Sequence, residues 1–273
     1  MPSRRKSQKH SAQKRAQQRQ TVRDLGAMVA KEFRNLSAQW HAAMSLHTYL
    51  TTGKRMGPLQ GWPISPDLGL LLIDLVESGH YQAIIEFGSG TSTMLMATAN
   101  RNGPDGPNGQ QPIPQLAFEH LTDFHAQTCQ LLRANGLEGI ATVVHAPLAP
   151  IELDGITYNY YDCQATLAEF AGKLDLHAAH KRVLVLVDGP PGATNPLARY
   201  PALHWLLEHL GGVGLDLLMD DMVREDEQTI VSRWKDELQR RGRSFSERHY
   251  AFEKGALMLF VQPDERLSET APR

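Results

Sequence analysis

Cysteine is scarce in this sequence, and its spacing excludes two common kinds of small fold. Only Cys129 and Cys163 occur among the 273 residues. They show no C-x-x-C spacing and have no histidine at zinc-finger distance, so the sequence predicts neither a disulfide framework nor a structural zinc site. Such scarcity is typical of proteins from a reducing compartment.

Long apolar runs are missing as well. The sequence has no stretch of about 18 apolar residues that would span a bilayer, and its N-terminus lacks the apolar core of a secretory signal. We therefore expect a soluble, cytoplasmic protein without a transmembrane segment. Hydrophobic residues make up 41% of the chain and charged residues 21%, which is enough for one globular core of good size.

Net charge is nearly absent, because 28 basic residues are balanced by 30 acidic ones. A whole-protein attraction to nucleic acid or to anionic membranes is therefore not expected. The charge is unevenly spread, since residues 1–23 carry eight Lys or Arg and no acid. Residues 1–22 have almost nothing to bury, so we predict a disordered or loosely helical basic tail. A solvated tail is favoured, and a nucleic-acid or phosphate contact is the alternative.

Residues 23–60 are predicted to be a helical extension. Apolar residues recur there at helical spacing between Leu25 and Leu46, which is typical of an amphipathic helix or a helix pair. The apolar face of such a helix has to pack against another protein surface. Either the main domain or a second subunit provides it, and in the second case the protein is a homodimer through its N-terminal helices.

Residues 61–263 are predicted to form the main domain, and residues 264–273 a C-terminal tail. Short apolar strands alternate with helices in the main domain, which is typical of a parallel sheet covered on both faces. The last two strands meet at Lys254 and Gly255 without a helix between them, so we predict an antiparallel hairpin. The fold class is α/β, with a doubly wound, mostly parallel, seven-stranded sheet, a C-terminal hairpin and an N-terminal helical extension.

The strand ends are the candidate positions for ligand-binding and catalytic residues, because ligands of such sheets bind at the carboxyl ends of the strands. Four of the five ends carry carboxylates. In chain order the ends are Glu86-Phe-Gly88-Ser-Gly90-Thr, Glu119-His120, His145-Ala146, Asp188-Gly189-Pro190-Pro191 and Asp220-Asp221.

The first strand end, EFGSGTST, indicates the kind of ligand. Gly88 and Gly90 can take backbone angles closed to other residues, and the following helix start offers free N–H groups. Thr93 stands where the dinucleotide motif Gly-x-Gly-x-x-Gly has its third glycine, which argues against a pyrophosphate. Glu86 would repel a phosphate and attract an ammonium or sulfonium group. The pattern favours a cationic cofactor without phosphate, and a plain strand-to-helix turn is the alternative.

At this point the chain resembles the class I S-adenosylmethionine-dependent methyltransferases. EFGSGTST is similar to their motif I and AFEH to their acidic second strand end, while VLVLVDGPPG and LLMDDMVRE are similar to their fourth and fifth strand motifs. The resemblance covers Ile64 to Pro263. It implies a Rossmann-like methyltransferase fold, S-adenosylmethionine as the cofactor and methyl transfer as the activity.

The resemblance also implies which residues bind the cofactor. Glu119 would accept hydrogen bonds from both ribose hydroxyls, a role that needs a carboxylate. His145 would lie beside the adenine, and a loop histidine without a role is the alternative. Asp188 also belongs to the predicted cofactor site. The methionine part would meet the first strand end, namely Glu86, Gly88, Ser89, Gly90, Thr91 and Ser92.

Three aspartates, Asp188, Asp220 and Asp221, raise the question of a metal. Converging carboxylates repel each other unless some are protonated, paired with arginine or shared by a hard cation. Catechol-type O-methyltransferases hold Mg²⁺ with an Asp after strand four and an Asp-Asn pair after strand five, and the resemblance to them implies such a site here. The sequence departs from that pattern at Asp221, where Asn is expected, and has no lysine soon after Asp188. Pairing with Arg199 or Arg224 is the alternative.

The methyl acceptor is predicted to be a hydroxyl oxygen of a sugar or another small molecule. DGPPG lacks the aromatic residue with which amino-methyltransferases hold a planar nitrogen, and the folded part is not basic enough for a nucleic-acid groove. Asp188 and Asp221 are the candidate catalytic residues. Arg199, Tyr200 and His204 are candidates for substrate contact.

Two other functions stay open from the sequence alone. One is a nicotinamide-dependent oxidoreductase on a Rossmann fold, against which Glu86 and Thr93 argue. The other is a non-catalytic binding protein that keeps the methyltransferase fold and acts through its basic tail.

Overall fold

The structure is a computed structural model that describes residues 3–50, 64–78, 80–102, 112–175 and 182–264. The helices are α1 (Ser3–Leu50), α2 (Pro66–Glu77), α3 (Thr91–Asn102), α4 (Thr122–Ala134), α5 (Gln164–Ala171), α6 (Pro201–Leu210) and α7 (Glu225–Arg240). The strands are β1 (Tyr81–Phe87), β2 (Gln115–Glu119), β3 (Ala141–His145), β4 (Leu148–Leu153), β5 (Ile156–Tyr161), β6 (Arg182–Val187), β7 (Gly214–Asp220), β8 (Phe245–Tyr250) and β9 (Ala256–Val261).

The main sheet has seven strands in the order β3-β2-β1-β6-β7-β9-β8. The first five strands of this order are parallel, and β9 runs antiparallel to both of its neighbours. The predicted doubly wound α/β fold with a C-terminal hairpin is therefore confirmed. Phe87 is level with Phe118 on one side and with Val187 on the other, so the carboxyl ends of β1, β2 and β6 meet at one edge.

Both faces of the sheet are covered by helices. Neighbouring residues of β1 belong to opposite layers, since Ile84 packs in the layer of α2 and α3 and Ile85 in the layer of α5, α6 and α7. Phe87 stacks on Phe118 with ring centroids 5.5 Å apart. Burial on both faces explains why β6 is a continuous apolar run from Val183 to Val187 rather than an alternating one.

Helix α1 is one continuous helix that extends well beyond the domain. Its last turns pack on α2 through Ala42 and Leu46, which are buried. Every residue from Gln17 to Arg34 is exposed. The helix begins at Ser3, within the segment predicted to be a disordered or loosely helical tail. Nowhere in the described ranges is a helix both long and apolar enough to cross a membrane.

The domain boundaries given above remain predictions. Residues 51–60 of the helical extension and residues 265–273 of the C-terminal tail lie outside the described residues. Helix α2 begins at Pro66, directly after Ser65. The Ser65 hydroxyl donates to Asp67 rather than to the helix backbone.

The segment between β3 and β6 forms a feature that the sequence analysis left unassigned. β4 and β5 pair as an antiparallel hairpin outside the main sheet, and α5 follows. Asp154 and Gly155 make its turn with φ angles of 54° and 75°. Tyr160 and Tyr161 at the end of β5 are buried against the main core.

Candidate functional site

A cavity of about 910 Å³ lies at the carboxyl edge of the parallel strands. The order of the main sheet reverses between β1 and β6, and such switch points are where doubly wound folds bind ligands. The glycine turn after β1 and the end of β2 line one side of the cavity. The loop after β6 and the segment after β7 line the other side.

The glycine turn opens the main chain to this cavity. Gly88 has a φ of 104°, a left-handed value that side chains make costly. A Cβ added to Gly88 would lie 3.4 Å from the Gly189 nitrogen, whereas one added to Gly90 would meet no atom within 4 Å. Gly88, Ser89, Gly90, Thr91 and Ser92 all line the cavity, so the structure brings these predicted residues together.

Glu86 lies behind the turn and is fully buried. One carboxyl oxygen accepts from the Ser92 hydroxyl and the other from Thr93 Oγ1 at 2.5 Å. Thr93 Oγ1 in turn accepts from the Gly90 N–H at 3.0 Å. Glu86 is not among the cavity-lining residues, so its contact with a cofactor stays a prediction. Its observed contacts hold the turn against the start of α3.

The protonation state of Glu86 differs from the charged state expected from the sequence. Burial raises the pKa of Glu86 to about 8, although hydrogen bonds from Ser92 and Thr93 act in the opposite direction. The carboxyl group is therefore largely neutral at pH 7, and it exerts little repulsion on a phosphate. Thr93 remains as the argument against a pyrophosphate, because it occupies the place of the third glycine and is fully buried.

Glu119 is the carboxylate that the cavity does contain. Its Oε2 accepts from the Ser89 N–H and hydroxyl, both at 3.3 Å, and its Oε1 accepts from the Leu121 N–H at 2.9 Å. Burial would raise the pKa of Glu119, but hydrogen bonds from His120 and Leu121 outweigh it and lower the pKa. Glu119 is therefore ionised at neutral pH, although only 5% of the residue is exposed.

His145 lies outside the cavity lining, and its contact with adenine stays a prediction. Its ring nitrogen Nε2 lies 3.2 Å from the His120 carbonyl oxygen and 3.3 Å from the Thr122 hydroxyl. The cavity wall next to Glu119 is formed instead by His120, Leu121 and Phe124. Leu121 and Phe124 are 39% and 40% exposed, so they offer an apolar surface to a flat ligand.

The three aspartates after β6 and β7 come together on the other side of the cavity. Asp188, Asp220 and Asp221 each have a carboxylate oxygen, and these oxygens lie within 4.8 Å of one another. Burial raises the pKa of Asp188 to about 7, despite the opposing effect of Arg199. Burial and the neighbouring Asp221 raise the pKa of Asp220 to about 6.

Arg199 inserts its guanidinium group into this acidic cluster. Its Nη2 lies 2.8 Å from Asp221 Oδ2 and 3.6 Å from Asp188 Oδ1, and its Nη1 donates to the Asp220 carbonyl at 3.2 Å. Arg224 Nη1 lies 2.9 Å from Asp221 Oδ2 as well. Two guanidinium groups thus bind Asp221. The structure therefore contains the pairing of Asp221 with Arg199 and Arg224 that the sequence left open as the alternative to a metal.

Two carboxylates of the cluster could still contribute ligands to a cation site. Asp220 Oδ2 is buried and has no hydrogen-bond partner among the described residues, and Asp188 is partly exposed to the cavity. Carboxylate oxygens of this kind suit Mg²⁺. Asp221 fits less well, because its Oδ2 is already bound by arginine. The residues present therefore fit a cation held by Asp188 and Asp220.

Among the residues predicted for substrate contact, only Arg199 lines the cavity. Tyr200 points its hydroxyl at Asp154 of the β4–β5 hairpin, at 3.0 Å. His204 is a surface residue of α6 and is not in the lining.

The lining also contains Tyr161 from the β4–β5 hairpin, which the sequence analysis did not select. A Cβ added to Gly189 would overlap with the Tyr161 hydroxyl and would lie 3.3 Å from the Phe87 carbonyl. A side chain at position 189 therefore requires Tyr161 to move. Tyr161 brings a buried phenol from the inserted hairpin to the loop after β6.

The sheet order, the placement of β9 and the cavity at the switch point define the fold of the class I S-adenosylmethionine-dependent methyltransferases, as the sequence motifs predicted. No protein-family model and no curated protein sequence matches the chain. Solved structures do match it over most of its length, with identities below 20%.

Three solved structures illustrate this likeness. An O-methyltransferase from Bacillus cereus in complex with SAH is 14% identical, with 81% of this chain and 90% of that chain covered and a TM-score of 0.50. The SAH-bound Podospora anserina methyltransferase PaMTH1 is 13% identical, with 82% and 96% covered and a TM-score of 0.50. The delta-N methyltransferase domain of METTL16 is 15% identical, with 85% and 97% covered and a TM-score of 0.50. At these identities the comparison shows the fold.

Proposed function

We propose that this protein is an S-adenosylmethionine-dependent methyltransferase that transfers a methyl group to a hydroxyl oxygen of a sugar or another small molecule. The observation that carries the proposal is Glu119, an ionised and almost fully buried carboxylate in the cavity wall, next to the glycine turn. Such a group suits the two hydroxyls of a ribose. Structures of the same fold in complex with SAH support the same ligand.

The cofactor would extend along the glycine-turn side of the cavity. Its methionine part would lie against Gly88, Ser89 and Gly90, where the main chain is open. Its ribose would bind Glu119, and its adenine would pack on the apolar surface of Leu121 and Phe124. Glu86 would act from behind this site by holding the turn in shape.

The acceptor hydroxyl would enter from the side of the acidic cluster. Methyl transfer is an in-line displacement, so most of the rate comes from alignment of the sulfonium and the hydroxyl. Asp188 is the candidate base, because it reaches the cavity and its pKa of about 7 suits proton acceptance near neutral pH. Asp221 would position Arg199 rather than accept a proton, since its carboxylate binds two arginines.

Magnesium is the alternative means of activating the acceptor within this proposal, because an Asp188 carboxylate that binds a cation would no longer serve as the base. Asp188 and Asp220 would hold it, and a bound cation would lower the pKa of the acceptor hydroxyl. We expect methyl transfer by the native enzyme to fall in a chelator and to recover with added Mg²⁺. Unchanged activity in the chelator would remove the metal from the proposal and leave the Asp188 carboxylate as the base.

Substitution of Glu119 tests the cofactor site. Calorimetry should show S-adenosylhomocysteine binding to the native protein at micromolar level, and Glu119→Gln should weaken it by roughly 10- to 100-fold. This is the size expected for the loss of charged hydrogen bonds worth about 1.5 to 3 kcal/mol.

Glu138→Gln provides the matched control for this measurement. Glu138 is exposed and outside the cavity lining, so the same chemical change there should leave affinity as it is. If the native protein binds a reduced nicotinamide cofactor and no S-adenosylhomocysteine, the methyltransferase proposal is wrong and the oxidoreductase alternative replaces it.

A further inference from the structure

Helix α1 carries a row of large apolar side chains that the domain does not cover. Each of them is between 48% and 72% exposed. We call this row the apolar stripe. It consists of Val22, Leu25, Val29, Phe33, Leu36, Trp40 and Met44.

The spacing of the apolar stripe is a regular repeat. Val22, Leu25 and Val29 are separated by three and four positions, and Phe33, Leu36 and Trp40 repeat this spacing 11 positions later. Met44 follows Phe33 after another 11 positions. An 11-residue repeat corresponds to about 3.67 residues per turn, close to the 3.6 of a straight helix. The stripe therefore stays on one face of α1 for roughly 33 Å, at 1.5 Å per residue.

The face that packs on the domain is a different one. Ala42 and Leu46 make that contact and are buried, while Met44, between them in sequence, is 48% exposed and Trp40, two residues before Ala42, is 66% exposed. Further towards the N-terminus, the helix has no cover on any side, since Gln17 to Arg34 are all exposed. A single helix of this kind gains little stability in water, and most helices in proteins are stabilised by packing of an apolar face.

We propose that a second copy of this chain covers the apolar stripe, through antiparallel pairing of two α1 helices centred on Phe33. Val22 and Met44 are equally distant from Phe33 in sequence, so in this pairing Val22 of one copy faces Met44 of the other. Small residues beside the stripe, Gly26 and Ala30, allow the two helices to approach closely.

The exposed area is sufficient for a stable dimer. Seven side chains of this size, about half to three-quarters exposed, present on the order of 800 Å² per copy, which is what a standard protein–protein interface takes from each partner. An apolar patch of this extent is unusual on a monomer.

Charge favours the antiparallel direction. Residues 3–19 of α1 carry seven Lys or Arg and no acid. Two parallel helices would place these segments side by side, whereas antiparallel helices place them at opposite ends of the dimer. The two globular domains also come to lie at opposite ends.

A membrane surface is the other partner that a basic amphipathic helix suggests, and the charge distribution disfavours it. Helices that lie on membranes carry basic residues beside the apolar face. Here the basic run precedes the stripe. Between Arg23 and Arg34 the positive charges are largely balanced, by Asp24 and Glu32.

Mass measurement on the full chain tests the dimer. At micromolar concentration, light scattering should give about twice the 30.4 kDa of one chain. The double variant Leu25→Glu, Leu36→Glu should be a monomer. Ala27→Glu, Ala38→Glu is the matched control, because both alanines are exposed on another face of α1 with the same 11-residue separation. This control should remain a dimer, and all three proteins should bind S-adenosylhomocysteine alike, since the cavity lies in the domain and not on α1.

Cysteine cross-linking tests the direction. Val22→Cys with Met44→Cys should cross-link between copies under mild oxidation, and Val22→Cys alone should not exceed the background of the native protein. Efficient cross-linking of Val22→Cys alone would mean a parallel pair and overturn the proposed geometry. A monomeric native chain, or a dimer that survives the glutamate pair, would overturn the dimer itself. Sedimentation of a monomer with anionic vesicles would assign the stripe to a membrane instead.

Discussion

Replacing Gly88 by arginine should abolish the binding of S-adenosylhomocysteine. Gly88 has a φ of 104°, and its position for a Cβ is only 3.4 Å from the Gly189 nitrogen. A long side chain at position 88 would extend into the cavity. It would occupy the space that the methionine end of the cofactor needs. We expect the affinity to fall about 100-fold or more, which is a loss of at least about 2.7 kcal/mol.

Gly136→Arg is the control for the cost of a side chain at positive φ. Gly136 has a φ of 65°, an added Cβ there meets no atom within 4 Å, and the residue is outside the cavity lining. Calorimetry on both variants, with circular dichroism to check folding, separates a blocked site from a strained backbone. Normal binding heat from folded Gly88→Arg protein would contradict the assigned site.

The second large effect concerns stability. Arg199→Met should lower the free energy of unfolding by about 3–5 kcal/mol, the usual cost of removing one partner from a buried ion pair. Arg199 is 3% exposed and contacts Asp188, Asp221 and Glu227. Without its charge these carboxylates remain buried beside each other.

Arg224→Met is the matched comparison, because Arg224 binds the same Asp221 oxygen from a side chain that is 51% exposed. An exposed pair of this kind contributes about 0–1 kcal/mol. Urea unfolding of both variants in a chelator, so that no metal replaces the guanidinium, gives the difference. Equal losses in the two variants would contradict the stabilising role assigned to the buried ion pairs of Arg199.

The stability deficit of Arg199→Met should also depend on pH. Removal of the cation raises the pKa of Asp188 further above its unfolded value. A carboxyl with a raised folded pKa costs stability as the pH rises through that range, and the cost vanishes once the group is protonated in both states. The deficit should therefore shrink as the pH is lowered from about 8 towards about 4. A deficit independent of pH would point to lost packing instead of unpaired charge.

The fold was predictable because its signals are local. The parallel strands β1, β2, β6 and β7 are buried on both faces, so they appear as largely apolar runs, and the helices between the runs have their own periodicity. The β4–β5 hairpin was missed although Asp154-Gly155 is a known hairpin turn signal. β4 and β5 mix exposed with buried residues, and the buried positions of β5 are tyrosines, so neither strand appears as an apolar run like the central parallel strands.

The site was predictable only in part, because its geometry depends on contacts between distant segments. His145 ends β3, which lies at the edge of the sheet, two strands from the switch point. The cavity is therefore lined by His120, which directly follows β2, instead. The insertion of Arg199 between Asp188 and Asp221 depends on the course of a long loop, which no spacing rule describes. Glu86, by contrast, faces α3 through a local contact, since Ser92 and Thr93, six and seven residues further on, donate hydrogen bonds to it.

The contact between Gly189 and Tyr161 limits which substitutions the fold accepts at these two positions. The β4–β5 hairpin is an insertion outside the main sheet, yet its last residue fills the space that a side chain at Gly189 would need. A side chain larger than glycine at position 189 requires Tyr161 to move or to be replaced by a smaller residue. The inserted hairpin and the loop after β6 are therefore sterically coupled, and a larger residue at position 189 should be tolerated better together with a smaller one at position 161 than alone.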